Sequence, residues 1–552
     1  MPVARGAEGT SINRSLTRGM PAAILVLSLI VALGCGSATP TVTPRPTVTA
    51  TPAATVPGST PSATESPTDP PTGIPGPTEP TLPPTEIPLP TATPTLPPAQ
   101  AVEMPFVPVV SFWSTRESIP MAELSSSATA GNVRLTADDA AALGWSVPAS
   151  AIVATADDVR VAVREAGVLG VLRATDVDQS VRALGIDNVN LFGNDRVETN
   201  AEWPLLATVQ SSETWDQSAS WTLVAAGDIM LDRGVAQQTT ILGKGANYLF
   251  DGGTARVTRV RCCSFYNYPY PDVERTGNGG AMRELLTGAD ITMANLETAV
   301  LEDAPFHDSG FTFTSDASLL PAFVDAGFDM LSLANNHSRD AGERGLTTAI
   351  EHLDSLGIAH AGAGAGNDVF APAIIEANGT TVAVFACNGV RGPGAVEPSP
   401  DRVQSMSCND GSVARAIRDV RPNADVVIVF PHWGVEYYPK PRTYQREQAA
   451  QWMEAGADLV TGAHSHFPGG MEDIDGKLVM YSMGNFIFDQ DFRQATMMGL
   501  VPEMTFNGSE LKQVWLHTTL IVDAQPNLAN PDTDGQFAYD LVRDGSRGLL
   551  DY

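Results

Sequence analysis

Positive charge is scarce in this chain. Of its 552 residues, 33 are Lys or Arg and 63 are Asp or Glu, which gives a formal net charge of -30 at pH 7. This balance excludes a general affinity for nucleic acid or for an anionic membrane surface, because both would repel the protein. A polyanionic ligand would need bound cations or a local basic patch, for which Lys440, Arg442 and Arg446 are candidates.

Cysteine is also scarce, with five residues in the whole chain. No Cys-x-x-Cys pair and no Cys–His spacing predicts a thiolate zinc site. If Cys35 is modified as described below, an even number remains, which permits disulfides in an exported protein. Cys387 and Cys408 flank a Gly/Pro-rich loop and could close it, whereas the adjacent Cys262 and Cys263 are not expected to bond to each other without strain.

The apolar segment near the amino terminus, AAILVLSLIVAL, is too short for a comfortable membrane span. It follows Arg5, Arg14 and Arg18 and ends at Gly34-Cys35. This pattern resembles a bacterial lipoprotein signal, in which Cys35 would become the lipidated amino terminus. An ordinary secretory signal and an uncleaved anchor helix are the alternatives. All three place the mature chain outside the cytoplasm, and the first predicts a lipoprotein anchored to the cell membrane at the cell surface.

Composition divides the rest of the chain into segments of different character. A stretch rich in Pro, Thr, Ser and Ala cannot bury a core and predicts a disordered stalk. Two Thr-Ala-Asp-Asp sequences, beginning at Thr136 and Thr155, then predict helix starts in a small α/β module. The predicted segments are a signal peptide over 1–35, a linker over 36–100, a module of unknown function over 101–213, a main domain over 220–525 and a C-terminal tail over 526–552.

The main domain alternates between apolar strand-like runs and helical stretches. Three helical stretches, SLLPAFVDAGFD, GLTTAIEHLDSLG and YQREQAAQWMEAGAD, each run into a Gly and then an apolar run. This alternation predicts a layered α/β domain rich in βαβ units. The last part alternates like an antiparallel hairpin that turns at Asn507-Gly508.

Five apolar runs of the main domain each end in residues of metal-ligand type. They are TLVAAGDIM, ADITMANLE, FDMLSLANNH, DVVIVFPHWG and ADLVTGAHSH. An apolar run bounded by turn residues predicts a buried strand, and ligands of open α/β sheets bind beyond the carboxyl ends of strands. We therefore expect one composite site, and its candidate residues are Asp228, Asn295, Glu297, Asn336, His337, His432, His464 and His466.

Histidine supplies the most specific part of this pattern. The chain has eight histidines, and four of them occupy the strand ends. In an extended backbone His464 and His466 would point to one side and reach one metal cluster. The other four, which are expected to be structural or surface residues, are His307, His352, His360 and His517.

The segments GDIML, ANLE, NNH, HWG, GAHSH and YSMGNFIFD occur here in the order found in the CapA-type capsule (poly-γ-glutamate) synthesis proteins. Residues 223–489 resemble that family, which is similar to the calcineurin-like metallophosphoesterases. The resemblance implies a four-layer αββα sandwich with two divalent metals of the Mn, Fe, Zn or Mg type.

The same resemblance implies a role for each site residue. Asp228 and His466 would hold the first metal, Glu297 would bridge, and Asn295 is a possible additional ligand. The second metal would be held by Asn336, His432 and His464. His337 would be the general acid or would stabilise the transition state.

Two departures separate this sequence from the phosphoesterases of that superfamily. Met230 stands where their Asp-x-His motif has its His, and Asn295-Leu296-Glu297 replaces an Asp-Asp pairing. Both changes weaken the first metal site and leave enzymatic activity open. We expect a protein for synthesis, export or retention of an anionic polymer such as poly-γ-glutamate, with that polymer and membrane-bound synthase subunits as partners. The alternatives are a phosphoesterase acting on extracellular phosphate esters and a non-catalytic polymer-binding or scaffold protein.

Overall fold

The computed structural model describes residues 98–390, 399 and 401–552. The predicted signal peptide, Cys35 and nearly all of the predicted linker lie outside the described residues. The described residues all fall in one compact unit, which spans 92–552. Among them, no helix combines the length and the apolar character that a membrane crossing requires.

Residues 100–211 form an α/β module with its own sheet and core. Its strands are β1 (Gln100–Ser111), β2 (Ser118–Ile119), β3 (Val133–Thr136), β4 (Ile152–Val153), β5 (Leu169–Arg173), β6 (Val181–Ala183), β7 (Gly185–Ile186) and β8 (Leu206–Ser211). Its helices are α1 (Met121–Thr129), α2 (Ala137–Ala142) and α3 (Ala156–Ala166). Six strands form one sheet in the order β4-β3-β5-β1-β6, with β8 also paired to β1.

The predicted helix starts in this module are confirmed. The hydroxyl of Thr136 accepts a hydrogen bond from the backbone N–H of Asp139 at 3.2 Å. Thr155 and Asp158 form a reciprocal capping box at the start of α3. Each Thr thus satisfies a backbone donor that the first helical turn leaves free.

Residues 220–546 contain the remaining strands and helices. The strands are β9 (Ser220–Ile229), β10 (Thr254–Arg261), β11 (Tyr270–Gly277), β12 (Ile291–Leu296), β13 (Ala299–Leu301), β14 (Thr314–Asp316), β15 (Met330–Ser332), β16 (Ala359–Ala361), β17 (Ala363–Ala365), β18 (Ala373–Ala377), β19 (Thr380–Asn388), β20 (Val403–Ser405), β21 (Val426–His432), β22 (Leu459–Thr461), β23 (Met471–Ile474), β24 (Lys477–Met480), β25 (Asn485–Ile487), β26 (Met498–Asn507), β27 (Glu510–Val522) and β28 (Gln525–Ala529). The helices are α4 (Arg233–Ala236), α5 (Ala281–Thr287), α6 (Pro321–Asp325), α7 (Gly342–Leu356), α8 (Ser412–Val420), α9 (Thr443–Ala455) and α10 (Gln536–Ser546).

Two large sheets dominate this region. The larger runs in the order β11-β10-β28-β27-β26-β9-β12-β15-β16, with β25 also paired to β9, and the smaller runs β18-β19-β21-β22-β24-β23. The central strands β9, β12 and β15 are parallel, as are β19, β21 and β22. The mixed α/β class predicted from the sequence is therefore confirmed.

Side chains along the central strands point alternately to the two faces of the sheet, so that each face packs against a different layer. On β9, Leu223 and Ala225 face the smaller sheet, whereas Val224 and Ala226 face helices α5, α6 and α7. The smaller sheet alternates in the same way and carries α8 and α9 on its outer face. Residues 220–552 thus form a helix–sheet–sheet–helix sandwich, called the sandwich below, whose central strands are buried on both faces.

The end of the chain is folded onto the sandwich. Strands β26 and β27 form the predicted antiparallel hairpin, in which Asn507 pairs with Glu510 around Gly508. The side chain of Tyr552 packs against the apolar core between the two sheets. The 526–552 segment therefore contributes β28 and α10 to the ordered structure.

Both pairs of cysteines among the described residues are bonded. Cys387 and Cys408 are joined as the sequence suggested, with their Cα atoms 5.1 Å apart. Cys262 and Cys263 are joined to each other, a pairing that the sequence did not favour. The peptide bond between them is cis and their Cα atoms lie 3.0 Å apart.

Candidate metal centre

The structure brings the six predicted metal ligands together at the carboxyl ends of strands from both sheets. Asp228 is the next-to-last residue of strand β9, Glu297 directly follows β12, and His432 ends β21. Asn336 follows β15 after a short loop, and the two remaining histidines follow β22. Five of these ligands are almost fully buried, with only a few per cent of their surface exposed, namely Asp228, Glu297, His432, His464 and His466.

One group of ligand atoms surrounds Nε2 of His432. Oδ1 of Asn336 lies 2.7 Å from this nitrogen, Nδ1 of His464 lies 3.1 Å away, and Oε1 of Glu297 lies 3.4 Å away. Ligands that bond one ion at about 2.1 Å and at right angles lie about 3 Å apart. These separations therefore match the coordination sphere of a single divalent cation.

A second group shares Glu297. Three ligand atoms of this group lie within 4.8 Å of one another: a carboxylate oxygen of Glu297, a carboxylate oxygen of Asp228 and an imidazole nitrogen of His466. Nδ1 of His466 lies 3.5 Å from Oδ2 of Asp228. Because Glu297 also belongs to the group around His432, its carboxylate lies between the two candidate positions.

Glu297 tests whether this donor set fits a metal. Its side chain is fully buried, and both carboxylate oxygens lack a hydrogen-bond partner. A buried carboxylate without a hydrogen-bond donor destabilises the folded protein, because it loses its hydration and forms no hydrogen bond. Burial raises the pKa of Glu297 to about 8, and burial together with the charge of Glu297 raises the pKa of Asp228 well above its usual range. A divalent cation would satisfy these oxygens, so the residues present fit a divalent metal.

The three ligand histidines are held neutral. Burial lowers the pKa of His432 and of His464 well below the ordinary value, and lowers that of His466 to about 3. A neutral imidazole has a free electron pair, which a protonated ring lacks. The protonation states are therefore those that metal ligation requires.

The backbone around the His-x-His segment differs from the expectation. His464 and His466 are not extended but have φ angles of 95° and 55°, in the left-handed region. The bend lets the backbone N–H of His464 donate to Oδ2 of Asp228 at 3.0 Å. The two rings consequently belong to different ligand groups, which an extended segment would not achieve.

His337 lies beside the two groups and outside both. Its Nε2 is 3.9 Å from Oε1 of Glu297, and its Nδ1 is bonded to Oδ2 of Asp340 at 2.7 Å. The ring also stacks on Phe313 with centroids 4.0 Å apart. Burial works against the imidazolium, but the hydrogen bond to Asp340 and the charges of nearby carboxylates outweigh it and raise the pKa of His337.

Asn295 touches one ligand from each group. Its Nδ2 lies 2.8 Å from Oδ1 of Asp228 and 3.1 Å from Nδ1 of His432. Its Oδ1 accepts a hydrogen bond from Nδ2 of Asn335 at 3.1 Å. The residue proposed as an additional ligand therefore turns its nitrogen toward the ligands and orients them.

Met230 lies in the apolar core between the larger sheet and its helices. It belongs to neither ligand group. The first candidate metal position consequently has three protein ligands, Asp228, Glu297 and His466. A His in place of Met230 would add a fourth. The histidines outside the strand ends each pair with one carboxylate, namely His307 with Asp232, His352 with Glu302, His360 with Asp354 and His517 with Glu503.

Three polar residues that the sequence did not single out hold the site in place. Asp340 orients His337, and Asn335 orients Asn295. Oδ1 of Asn485 lies 2.8 Å from Nδ1 of His466 and can fix the tautomer of that ring. Asn335 and Asn485 lie inside segments that the family resemblance quoted, and Asp340 follows His337 by three positions, but nothing in their spacing distinguishes them from turn residues.

Two relatives are similar to part of this chain. A capsule biosynthesis protein CapA of Bacillus anthracis is 27% identical over 370 residues, which cover 63% of this chain and 82% of that protein. A PGA biosynthesis protein CapA of Bacillus subtilis (strain 168) is 27% identical over 233 residues, which cover 39% of this chain and 58% of that protein.

Solved structures are more distant. A crystal structure of a phosphatase of Mycoplasma pneumoniae is 12% identical, has a TM-score of 0.31, and matches 55% of this chain and 94% of its own. A likeness at this score carries no conclusion about activity. By contrast, residues 222–490 match the family described as "Bacterial capsule synthesis protein PGA_cap". This matched region, which contains all the candidate ligands, is similar to the PGA_cap family of bacterial capsule synthesis proteins.

Proposed function

We propose that this protein acts outside the cytoplasm as a CapA-like accessory protein for an anionic surface polymer such as poly-γ-glutamate. Its role would be in the synthesis, export or retention of that polymer. The match of residues 222–490 to the PGA_cap family and the names of the two Bacillus relatives support the polymer class. The amino-terminal segment that resembles a lipoprotein signal supports the location, and Cys35 would carry the lipid anchor.

The observation that carries the catalytic part of the proposal is the buried carboxylate of Glu297. It lacks hydrogen-bond donors and belongs to both ligand groups. In this proposal Asp228 and His466 would hold one divalent cation, His432, His464 and Asn336 would hold a second, and Glu297 would contribute to both. Bound there, the cations would supply Lewis acidity to a bond of the polymer.

His337 would supply the proton in such a reaction. Asp340 holds its Nδ1, which leaves Nε2 directed at the site near Glu297. Its raised pKa keeps the ring protonated at a higher pH than a free imidazole. A positioned imidazolium can protonate a leaving group, which is the role of a general acid.

The partners in this proposal are the polymer and membrane-bound subunits of its synthase. A net charge of -30 argues against nucleic acid as a partner. It also means that the protein needs local positive charge wherever an anionic polymer touches it. The cations of the proposed metal centre would provide part of that charge.

Metal content and polymer phenotype together test the proposal. We expect the full-length protein to contain divalent metal by mass spectrometry, and His464→Ala and His466→Ala each to reduce both the metal content and the amount of surface polymer. His352→Ala is the matched control, because that ring pairs with Glu302 and belongs to neither ligand group. A metal-free protein whose His464 and His466 variants keep normal polymer would contradict the catalytic part.

Phosphoester hydrolysis is a second candidate, favoured by the two ligand groups that share Glu297 beside a His337 held by Asp340. A pair of divalent cations about 3.5–4 Å apart is a common arrangement in phosphatases. Manganese-dependent turnover of an aryl phosphate ester, lost in Asn336→Ala, would support this candidate. Absence of turnover with manganese, iron, zinc and magnesium would exclude it.

A further inference from the structure

A row of aromatic rings leads from the tip of the β10–β11 hairpin to the metal centre. We call it the aromatic wall and define it as Tyr266, Tyr268, Phe492, Tyr437 and Phe467. Tyr266 and Tyr268 at the hairpin tip contact Phe492, with ring centroids 5.0 and 6.4 Å apart. Tyr437 lies 5.8 Å from both Phe492 and Phe467. The wall therefore joins the hairpin to residues next to the ligands.

The inner end of the aromatic wall touches the candidate metal centre. Phe467 directly follows His466, and the ring of Tyr437 lies 6.0 Å from the ring of His466. The backbone N–H of Tyr437 also donates to the carbonyl of Ser465 at 2.8 Å. A group bound against the inner part of the wall would consequently lie close to the metal ligands.

Arg493 inserts its guanidinium into this wall. Its Cζ lies 4.6 Å from the ring centroid of Tyr268 and 4.7 Å from that of Phe467. Contact with two aromatic faces holds the planar group in one orientation and leaves its N–H edge available. No carboxylate lies within ion-pair distance of Arg493 in the part of the chain that the structure describes.

The arginines of a cleft beside the aromatic wall already have acidic partners. The cleft is lined by Arg233, Arg261 and Arg275, which pair with Asp489, Asp272 and Asp523 respectively. The charge of the basic patch suggested by the sequence is also partly neutralised, because Arg446 forms an ion pair with the buried Glu472. Arg493 thus combines a fixed orientation, an unneutralised charge and closeness to the metal centre.

We propose that Arg493, held between Tyr268 and Phe467, is an anion-binding residue that receives a carboxylate of the polymer beside the metal centre. The inference rests on the proposed function and identifies the part of the protein that would recognise the ligand. A guanidinium can bind a carboxylate through two parallel hydrogen bonds. Poly-γ-glutamate presents a free carboxylate on every residue, so one such contact sets the position of the chain relative to the cations.

Binding measurements on the full-length, manganese-loaded protein test the inference. The probes are an oligomer of γ-linked glutamate, the uncharged γ-linked glutamine oligomer of equal length, and inorganic phosphate. We expect Arg493→Gln to weaken binding of the glutamate oligomer by about tenfold, the usual cost of one charge-assisted contact. Binding of the glutamine oligomer and of manganese should stay unchanged. Arg493→Lys keeps the charge but loses the planar fork, so it should fall between wild type and Arg493→Gln.

Arg543→Gln is the matched control. Arg543 also stacks on an aromatic ring, that of Trp113 at 5.2 Å, and the substitution removes the same charge. It should change the affinity for the glutamate oligomer by less than about twofold, the size of a surface charge effect. An equal loss in Arg543→Gln would show a general charge effect and would overturn the assignment to Arg493.

The remaining outcomes separate the inference from the proposed function. If the wild-type protein binds the glutamate oligomer and Arg493→Gln binds it equally well, the inference fails and the proposed function stands. If the metal-loaded wild type binds no glutamate oligomer, both fail. If Arg493→Gln weakens binding of inorganic phosphate alone, the anion is a phosphate group and the carboxylate assignment is overturned.

Discussion

His337 and Asp340 form a hydrogen bond of 2.7 Å between Nδ1 and Oδ2 at the edge of the candidate metal centre. The pair is compact because the residues are only three positions apart, and the stacked ring of Phe313 closes one face of the imidazole. Asp340 therefore sets both the orientation of His337 and the position of its remaining proton. Asp340 itself belongs to neither ligand group.

A double-mutant cycle on this pair tests whether the two residues act as a unit. We expect His337→Ala to lower the rate of the proposed metal-dependent hydrolysis about 100-fold, the usual contribution of a general acid. Asp340→Ala should lower the same rate about tenfold. The double variant should be no slower than His337→Ala, because Asp340 acts through the ring. Metal content should remain that of wild type in all three.

The matched control for that cycle is Asp354→Ala. Asp354 pairs with His360 at 3.2 Å on the surface, so the substitution removes a similar pair away from the ligands. It should leave turnover unchanged. Additive losses in the Asp340 and His337 variants would show that Asp340 does not act through His337.

The buried carboxylate of Glu297 predicts a pH-dependent stability in the metal-free protein. Its pKa rises from an ordinary 4.5 to about 8 on folding. Between these values the unfolded carboxyl loses its proton while the folded one keeps it, so the free energy of unfolding falls as the pH rises. Glu297→Gln cannot ionise and should melt at the same or a higher temperature than metal-free wild type at pH 8.

Added manganese should reverse the order of the melting temperatures of wild type and Glu297→Gln. A ligand that binds only the folded state at 100 times its Kd adds about 2.7 kcal/mol of stability. Wild type should therefore gain melting temperature with manganese, and Glu297→Gln should gain little, as measured by differential scanning calorimetry with and without a chelator. Equal manganese shifts in both proteins would show that Glu297 is not a ligand.

Most of the ligand set could be predicted because strand ends leave a simple sequence signal. VVIVFPH is buried on both faces as β21, so a polar residue at its end has a restricted choice of surroundings. His432 and Asp228 were identified on that basis. The split of His464 and His466 between two groups followed from the family resemblance and not from their spacing, since the left-handed bend has no signature in Ala-His-Ser-His.

The supporting residues could not be predicted because their roles arise from tertiary contacts. Arg493 is 26 positions from Phe467 and 225 from Tyr268, and nothing local brings the three together. The orienting role of Asn295 depends on Asn335, which lies on a different strand end. Local patterns determine which residues lie at strand ends, whereas packing determines which of them touch.

Asn295 provides a test that separates orientation from ligation. Loss of a residue that only orients ligands typically weakens metal binding by about 10- to 100-fold, whereas loss of a ligand removes a site. We expect Asn295→Ala to weaken manganese binding in that range with unchanged stoichiometry, and His464→Ala to lower the stoichiometry, by isothermal titration calorimetry. A lower stoichiometry in Asn295→Ala would assign Asn295 as a ligand after all.

Glu503 connects the amino-terminal module to the sandwich through a buried carboxylate. Its Oε1 accepts from the backbone N–H of Asn194 at 2.7 Å, and its Oε2 lies 2.8 Å from Nε2 of His517. Burial alone would raise the pKa of Glu503, but the hydrogen bond and charge of His517 and the Asn194 N–H outweigh it and lower the pKa. The ionised carboxylate therefore stabilises the folded protein.

The sign of this pKa change fixes the pH at which that stabilisation is lost. It is complete above the ordinary pKa of 4.5 and disappears as the pH falls through the lower folded value. Glu503→Gln should cost about 1–3 kcal/mol at pH 7, and its difference from wild type should shrink below pH 4.5 in urea unfolding. Glu274→Gln, at an exposed ion pair with Arg256, should cost less than about 1 kcal/mol. A Glu503→Gln deficit that stays constant from pH 7 to pH 3 would mean that Glu503 contributes through packing rather than charge, because only the ionised form loses its partners on acidification.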